Sequence, residues 1–463
     1  MERLPRLVVA GSIPVVVVAA FLVAWLRPFY FTNLTTLGGL LFLELLVAAI
    51  CFYRRFFLLA LLLVFLLAGV DLPLKGIWNQ ARWLFLGAGA FVGGLVVLKE
   101  RSLPFKSFHA IAIFSIFVCL MSATESQHSD VARLKAISVL LLFAYASTGA
   151  RLAFARSELG FLKGLRAGSE ILIVAAGISY GAGFQVFGNP NSLGAAMCFL
   201  APVLLWGLLC DHQSYSRPVH LVLFLLCVSL LVYSRSRAGL LAAFCSCALL
   251  CLSMRRYRLF VMGLVTVAIL ASIVSLVRPE FLSSFGGEIV YKRQDQGQEF
   301  WSSREEPWAN AIEMIKRHPW FGVGFGTTAQ NSTRADGQIL FASSSEVNSE
   351  NGSSYLSVLL GVGIVGAIPF ALLLLILIAK VSRTVVFVWQ TRSANCYAVP
   401  FAVVIVSCLI HALFEDWLLA PGNYLCVFFW ILAFLLVDLA PKTPATIISH
   451  SKALIRAVTA STA

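Results

Sequence analysis

The chain has 463 residues, of which 59% are hydrophobic and only 12% charged, with a formal net charge of +13. A soluble domain of this length needs a larger charged shell, so a soluble globular fold is excluded. The apolar residues run in solid blocks rather than alternating with polar ones, which excludes an all-β barrel.

What remains is an all-α polytopic membrane protein. A spanning helix needs about 20 apolar residues, and blocks of that kind recur at 7–26, 34–53, 56–70, 83–98, 108–123, 134–150, 169–187, 193–210, 218–234, 238–253, 259–277, 355–379, 397–414 and 421–437. The blocks at 56–70 and 238–253 are short, so about 12–14 transmembrane helices are expected. The first block has no small-residue cleavage site and is followed by Pro28 and another span, so it is expected to be retained. The predicted domains are an N-terminal bundle of about 11 spans over 1–277, a large loop with short helices over 278–354, about three spans over 355–440, and a tail over 441–463.

Orientation follows from the basic residues. With the N-terminus inside, most of the 35 Lys and Arg fall on the cytoplasmic side, among them Arg54, Arg55, Lys99, Arg151, Arg255, Arg256, Lys380 and Arg383. Both termini are then cytoplasmic and the large loop is extracytoplasmic. The net positive charge is a topology and anionic-lipid signal. No base-reading motif accompanies it, so no nucleic-acid partner is expected. The cysteines lie almost all within apolar blocks and read as small core residues, not as a disulfide framework or metal site.

Along the chain, "RLAFARSELGFLKGLR" (151–166) mixes basic and apolar residues and reads either as a surface amphipathic helix or as a basic loop. Asn189 and Asn191 flank Pro190. Asn191 is expected to cap the span that begins at Leu193. "YSRSRAGLL" (233–241) places Arg235 and Arg237 in a tight turn between two apolar blocks, at the outer membrane surface. Boundary arginines can snorkel to lipid phosphates. A guanidinium fork also grips a phosphate in bidentate fashion, so a pair of them suits a lipid-linked diphosphate.

In the large loop, "SSREEPWANAIEMIKRHPWFGVGFG" (302–326) predicts a helix with a Ser303–Glu306 capping box and Pro307 in its first turn. Trp308, Ala311, Ile312 and Ile315 share one face. Pro319 ends the helix, and Gly322, Gly324 and Gly326 are expected to form a pliable turn. The Ser-, Thr-, Asn- and Gly-rich stretch 327–354 is expected to be an irregular cover. Arg304, Glu350, Asn351, Glu415 and Asp416 are the further candidate site residues. Glu415 and Asp416, beside Trp417, are candidate acceptor-sugar ligands.

The ordered set "GNPNSLGAAMCFLAPVLL" (188–205), "YSRSRAGLLA" (233–242), "SREEPWANAIEMIKRHPWFGVGFG" (303–326) and "YLSVLLGVGIVGAIPF" (355–370) resembles the O-antigen ligase/polymerase superfamily over about 170–440. "FEDWLLAPGN" (414–423) is similar to exopolysaccharide-linked members. The resemblance implies a glycosyltransferase of the bacterial inner membrane. It would take a glycan from an undecaprenyl-diphosphate donor on the periplasmic face and pass it to an acceptor glycan or lipid-linked sugar. It implies membrane lipids and other envelope polysaccharide assembly proteins as partners, and neither a metal nor a nucleotide sugar. Arg237 and Arg235 would be diphosphate ligands and Arg304 a further cation on the donor. Ligases of the family carry a His-Asn pair before the span that follows the large loop. Here "NSENGSSYL" (348–356) stands in that place without a histidine, which favours exopolysaccharide polymerisation. Glu350, with Asn351 beside it, stands nearest the place of that histidine, and a carboxylate held within hydrogen-bond reach of a sugar hydroxyl is a candidate general base. The competing expectation is a polysaccharide transporter or flippase. It would need polar residues and broken helices at the membrane midplane, for which Glu44 and His411 are the main candidates.

Overall fold

The computed structural model describes residues 44, 46, 57–72, 75–100, 103–126, 129–156, 158–210, 217–277, 302–326, 352–392 and 396–441. The first apolar block, the second apart from residues 44 and 46, Glu350, Asn351 and the side chains of Ser303 and Glu306 lie outside the described residues. Every regular element described is a helix. Among the described residues, five helices are long and apolar enough to cross a membrane: Lys75–Leu98, Ser107–Glu125, Ser129–Ala155, Pro190–Cys210 and Ser354–Thr391. Large apolar side chains such as Leu98, Ile171, Val222, Met262 and Leu276 point outward. A soluble protein does not expose such faces, and a bilayer covers them. The chain is a multi-pass membrane protein.

It divides into two compact units, one of 1–105 with 140–165 and one of 106–139 with 166–463. In the first, α1 (Phe57–Gly69) packs on α2 (Lys75–Glu100). Glycines let the helices approach closely: a Cβ on Gly89 would strike the rings of Phe57 and Tyr145, and one on Gly93 would meet the backbone nitrogen of Gly149 at 2.7 Å. Gly149 belongs to a π turn, Ala146–Ala150.

The second unit begins with α3 (Ser107–Glu125), and α4 (Ser129–Tyr145) runs from it into the first unit's π turn. After that turn come α5 (Arg151–Arg156) and α6 (Glu158–Gly181). The stretch 151–166 is therefore neither a separate surface helix nor a loop. Its first part continues the helix before it, and its second part opens the next.

Around α7 (Pro190–Cys210) pack α8 (Arg217–Tyr233), α9 (Arg237–Ser253) and α13 (Ala398–His411). Pro202 lies inside α7 and cannot donate to the carbonyl of Cys198 one turn back. Ser407 of α13 supplies the missing donor, its Oγ lying 2.8 Å from that carbonyl. A freed backbone group inside a membrane bundle needs such a replacement. The next helices are α10 (Tyr257–Val277) and α11 (Ser302–Arg317). α14 (Tyr424–Leu439) is apolar on all sides and buried almost throughout, as an all-round apolar helix requires.

α12 (Ser354–Thr391) is longer than the expected span 355–379 and is interrupted. Gly363 has φ 67° and ψ −177°, a conformation open to glycine alone. The interruption is what brings the large loop into the bundle.

Candidate functional site

The "GVGFG" and "GVGIVG" motifs explain one another. In a continuous helix the amides of Ile364 and Val365 would bond the carbonyls of Leu360 and Gly361. At the break all four groups turn to the segment after α11 instead. The amides of Val323 and Gly324 donate to Leu360 and Gly361 at 2.9 and 3.1 Å. The amides of Ile364 and Val365 donate to Pro319 and Trp320 at 2.8 and 3.2 Å. Ser122 of α3 adds a bond to the Gly361 carbonyl at 2.7 Å.

Glycine is required throughout this joint. Gly322 has φ 75° and Gly324 φ 112°. A Cβ on Gly322 would overlap the Gly361 carbonyl, and one on Gly324 would overlap Ser126. The expected pliable turn is thus a docked strap, and α12 is a broken helix. Glu44 is exposed.

The arginine turn is equally fixed. Arg235 takes a left-handed conformation, φ 52°, and its amide bonds the Val232 carbonyl at 3.1 Å. Arg255 and Arg392 end α9 and α12 in the same conformation, so the left-handed turn is a way of ending a helix and not a mark of the site. Ser236 caps α9, its Oγ accepting from the Gly239 amide at 3.2 Å. Ser234 and Ser236 are buried against Gly194 of α7, and a Cβ on Gly239 would lie 2.9 Å from the Gly194 carbonyl. Arg235 is exposed and Arg237, just ahead of the apolar run, is half-buried. Partial burial first, and the Arg304 guanidinium second, hold Arg237 below the ordinary arginine range.

Arg304 stands in the first turn of α11. It donates through Nη2 to Glu415 Oε1 at 2.6 Å, not to neighbouring Glu305. The same carboxylate oxygen accepts from Asn191 Nδ2 at 3.1 Å. Asn191 is therefore not a cap. Asn189 is, its Oδ1 accepting from the Asn191 amide at 2.8 Å with Pro190 as the first helical residue. The turn carrying Glu415 closes on Ser354, which donates to the Glu415 carbonyl at 2.7 Å and accepts from the amides of Trp417 and Leu418 at 3.0 and 3.1 Å. Asp416 accepts from Ser357 Oγ. On α11, Ala311 is buried and Trp308 and Ile315 half-buried as expected, but Ile312 is exposed. His318 is exposed and its carbonyl receives the Gly322 amide.

The structure thus brings Arg237, Arg304 and Glu415 to one end of the second unit, with Arg235 in the same turn as Arg237 and Asp416 beside Glu415. It adds one residue that the sequence did not single out and gives a second, expected only as a cap, a different role. Lys135 of α4 donates through Nζ to the Gly326 carbonyl and lies in the field of the Asp416 carboxylate. Its position one residue inside an apolar block was the available signal. Asn191 is the second, a ligand of Glu415 from 224 residues away in sequence.

Three segments remote in sequence therefore converge: the α8–α9 turn, the first turn of α11, and the turn between α13 and α14. No curated protein matches the chain. Residues 222–371, which include Arg235, Arg237, Arg304 and the broken part of α12, match the family model described as O-antigen ligase. Over about a third of its length, this multi-pass membrane protein is therefore similar to the O-antigen ligase family.

Proposed function

We propose that the protein transfers a glycan from undecaprenyl diphosphate to an acceptor sugar hydroxyl on the outer face of the bacterial inner membrane, in exopolysaccharide or O-antigen synthesis. The observation that carries this reading is that Arg237 of the α8–α9 turn lies in the field of Arg304 from the first turn of α11, two cations from separate segments. Like charges brought together at a membrane surface suit a multivalent anion, and a diphosphate is the leaving group of this reaction.

Arg235 and Arg237 hold the diphosphate. Arg304 turns from Glu415 to the donor as negative charge builds on the leaving oxygen. Glu415 and Asn191 position Arg304 before that exchange. The acceptor hydroxyl attacks the anomeric carbon, the bond from that carbon to the phosphate oxygen breaks, and undecaprenyl diphosphate departs. The hydroxyl proton passes to Glu350, with Asn351 beside it on the acceptor. Gly352, two residues after Glu350, supports this assignment. It abuts Arg304, whose Nη1 would lie 3.0 Å from a Cβ there, and its carbonyl receives Trp308 Nε1 at 3.2 Å. Asp416 keeps an acceptor-binding role once its contact with Ser357 exchanges for a sugar hydroxyl.

The break in α12 also favours a second reading, a transporter or flippase of lipid-linked glycan. In this chain, however, its own strap 319–324 fills the break, where a transporter would present an ion or substrate.

The test is release of undecaprenyl diphosphate from a lipid-linked oligosaccharide by the reconstituted protein, wild type beside Arg237→Ala. Release lost in the variant is the expected result. A product ladder marks a polymerase, and dependence on an added acceptor marks a ligase. Absence of release by the wild type under every acceptor condition overturns the reading in favour of transport.

A further inference from the structure

His411 closes α13 immediately before the turn that carries Glu415, and it is buried, 1% exposed. Trp417 Nε1 donates to its Nδ1 at 3.0 Å. An indole N–H can only donate, so Nδ1 must present a lone pair. The imidazole is therefore neutral with its proton on Nε2. That N–H is buried and has no hydrogen-bond partner. The ring is flanked by Phe199, edge-on at 5.8 Å, and by the tilted Trp417 ring at 6.1 Å. The charge of Arg304 reaches it.

A buried donor without a partner is a standing cost that a native structure seldom keeps without use. Trp417 also settles what the ring can do. With its only lone pair engaged, His411 cannot take a proton from an acceptor hydroxyl. It can only donate. A neutral N–H donor in the field of a guanidinium suits an anionic oxygen, on which a second hydrogen bond adds to the charge-assisted one.

We propose that His411 Nε2–H is a donor to a diphosphate oxygen of the lipid-linked substrate, held in one tautomer by Trp417 and engaged when Arg304 leaves Glu415 for the same group. The inference rests on the donor chemistry proposed above. It assigns His411 to the leaving group, so the histidine missing before α12 is not replaced by His411 as a base.

Two measurements test it. The first needs no turnover. The protein is labelled with 15N-histidine in nanodiscs, and the His411 signals are identified by difference from His411→Gln. They are expected to show an unprotonated Nδ1 and a protonated Nε2, and added farnesyl diphosphate is expected to shift Nε2 while leaving Nδ1 bonded to Trp417. An Nε2 signal that ignores the diphosphate, or a proton found on Nδ1, overturns the proposal.

The second uses the release assay. His411→Phe keeps the ring but lacks the donor, and is expected to lose about tenfold or more in kcat. KM for the lipid donor is expected to change by less than about threefold. His411→Gln, which can place an amide N–H near the lost one, is expected to recover part of the rate. A folded His411→Phe with wild-type kcat overturns the assignment while leaving the transferase reading intact. A wild type that releases nothing removes the transferase reading, and the NMR shift then still decides whether His411 meets the diphosphate. If His411→Phe does not fold, the NMR measurement alone decides.

Discussion

Gly363→Ala tests whether the glycine motifs form a joint. In the bent state the four groups at the break make four bonds to the strap, where a straight α12 would make two among themselves. The strap groups released on straightening return to water. At about 1 kcal/mol net per bond, the bent state is favoured by about 2 kcal/mol, roughly a thirtyfold excess. Alanine at 363 opposes this twice. It must occupy a region that is essentially glycine-only, at about 1–3 kcal/mol, and a Cβ there would overlap the Trp320 carbonyl. It also favours a continuous helix over glycine by about 1 kcal/mol. The sum, about 2–4 kcal/mol, matches or exceeds the preference for the bend.

Much of the population should therefore straighten and release the strap. The readout is hydrogen exchange, followed by mass spectrometry in nanodiscs, over the peptide containing Val323 and Gly324. These amides lose their acceptors on straightening and are expected to exchange about tenfold faster or more. Exchange equal to wild type would refute the reasoning, because it would mean the strap is held by something other than the break.

Other substitutions probe the turn around Glu415 and the root of the large loop. Ser354→Ala removes the acceptor of two amides belonging to buried residues, Trp417 and Leu418, and should cost about 2–4 kcal/mol, read as a lower melting temperature in detergent. Glu415→Gln keeps the shape but removes the charge that holds Arg304. Release of undecaprenyl diphosphate is expected to fall by about tenfold with little change in melting temperature. Lys135→Met retains the packed stem and removes the cation that ties Gly326. It is expected to raise protease cleavage within 327–351 and to lower release, measured on the same samples.

The sequence was most legible where local rules decide the structure. Solid apolar blocks marked the membrane helices, Pro319 marked the end of α11, and Arg235 and Arg237 stood out because charge is rare beside an apolar run. It was least legible where a pairing joins distant segments. Gly361, Gly363 and Gly366 look alike in the sequence, yet Gly366 is set against Val118 of a neighbouring helix while Gly363 breaks its own. Gly363 breaks the helix because a partner strap is available, and no periodicity shows a partner. Arg304 has an acid next to it in the chain and bonds another 111 residues away. Asn191 looked like a cap because it precedes a span, but Pro190 can occupy the first helical position, which moves the cap back to Asn189.

The contacts at this end of the bundle have one property in common. The segment 327–351, which carries Glu350 and Asn351, departs from Gly326 and returns at Gly352. Both flanking residues are left-handed, with φ 70° and 66°. Gly326 is held by Lys135, which also faces Asp416. Gly352 is held by Trp308 and lies against Arg304, which is bonded to Glu415. The neighbouring acids Glu415 and Asp416 thus balance the cations at the two roots of one loop, and Ser354 and Ser357 anchor those acids to the first turn of α12. Movement of the root at Gly352 must disturb the Arg304–Glu415 pair, and movement of the root at Gly326 must disturb the Lys135 contact. In the proposed reaction, a diphosphate that draws Arg304 away from Glu415 would also loosen the root at Gly352, two residues after Glu350. Under the proposed reaction, binding of the leaving group and delivery of the base would be mechanically the same event.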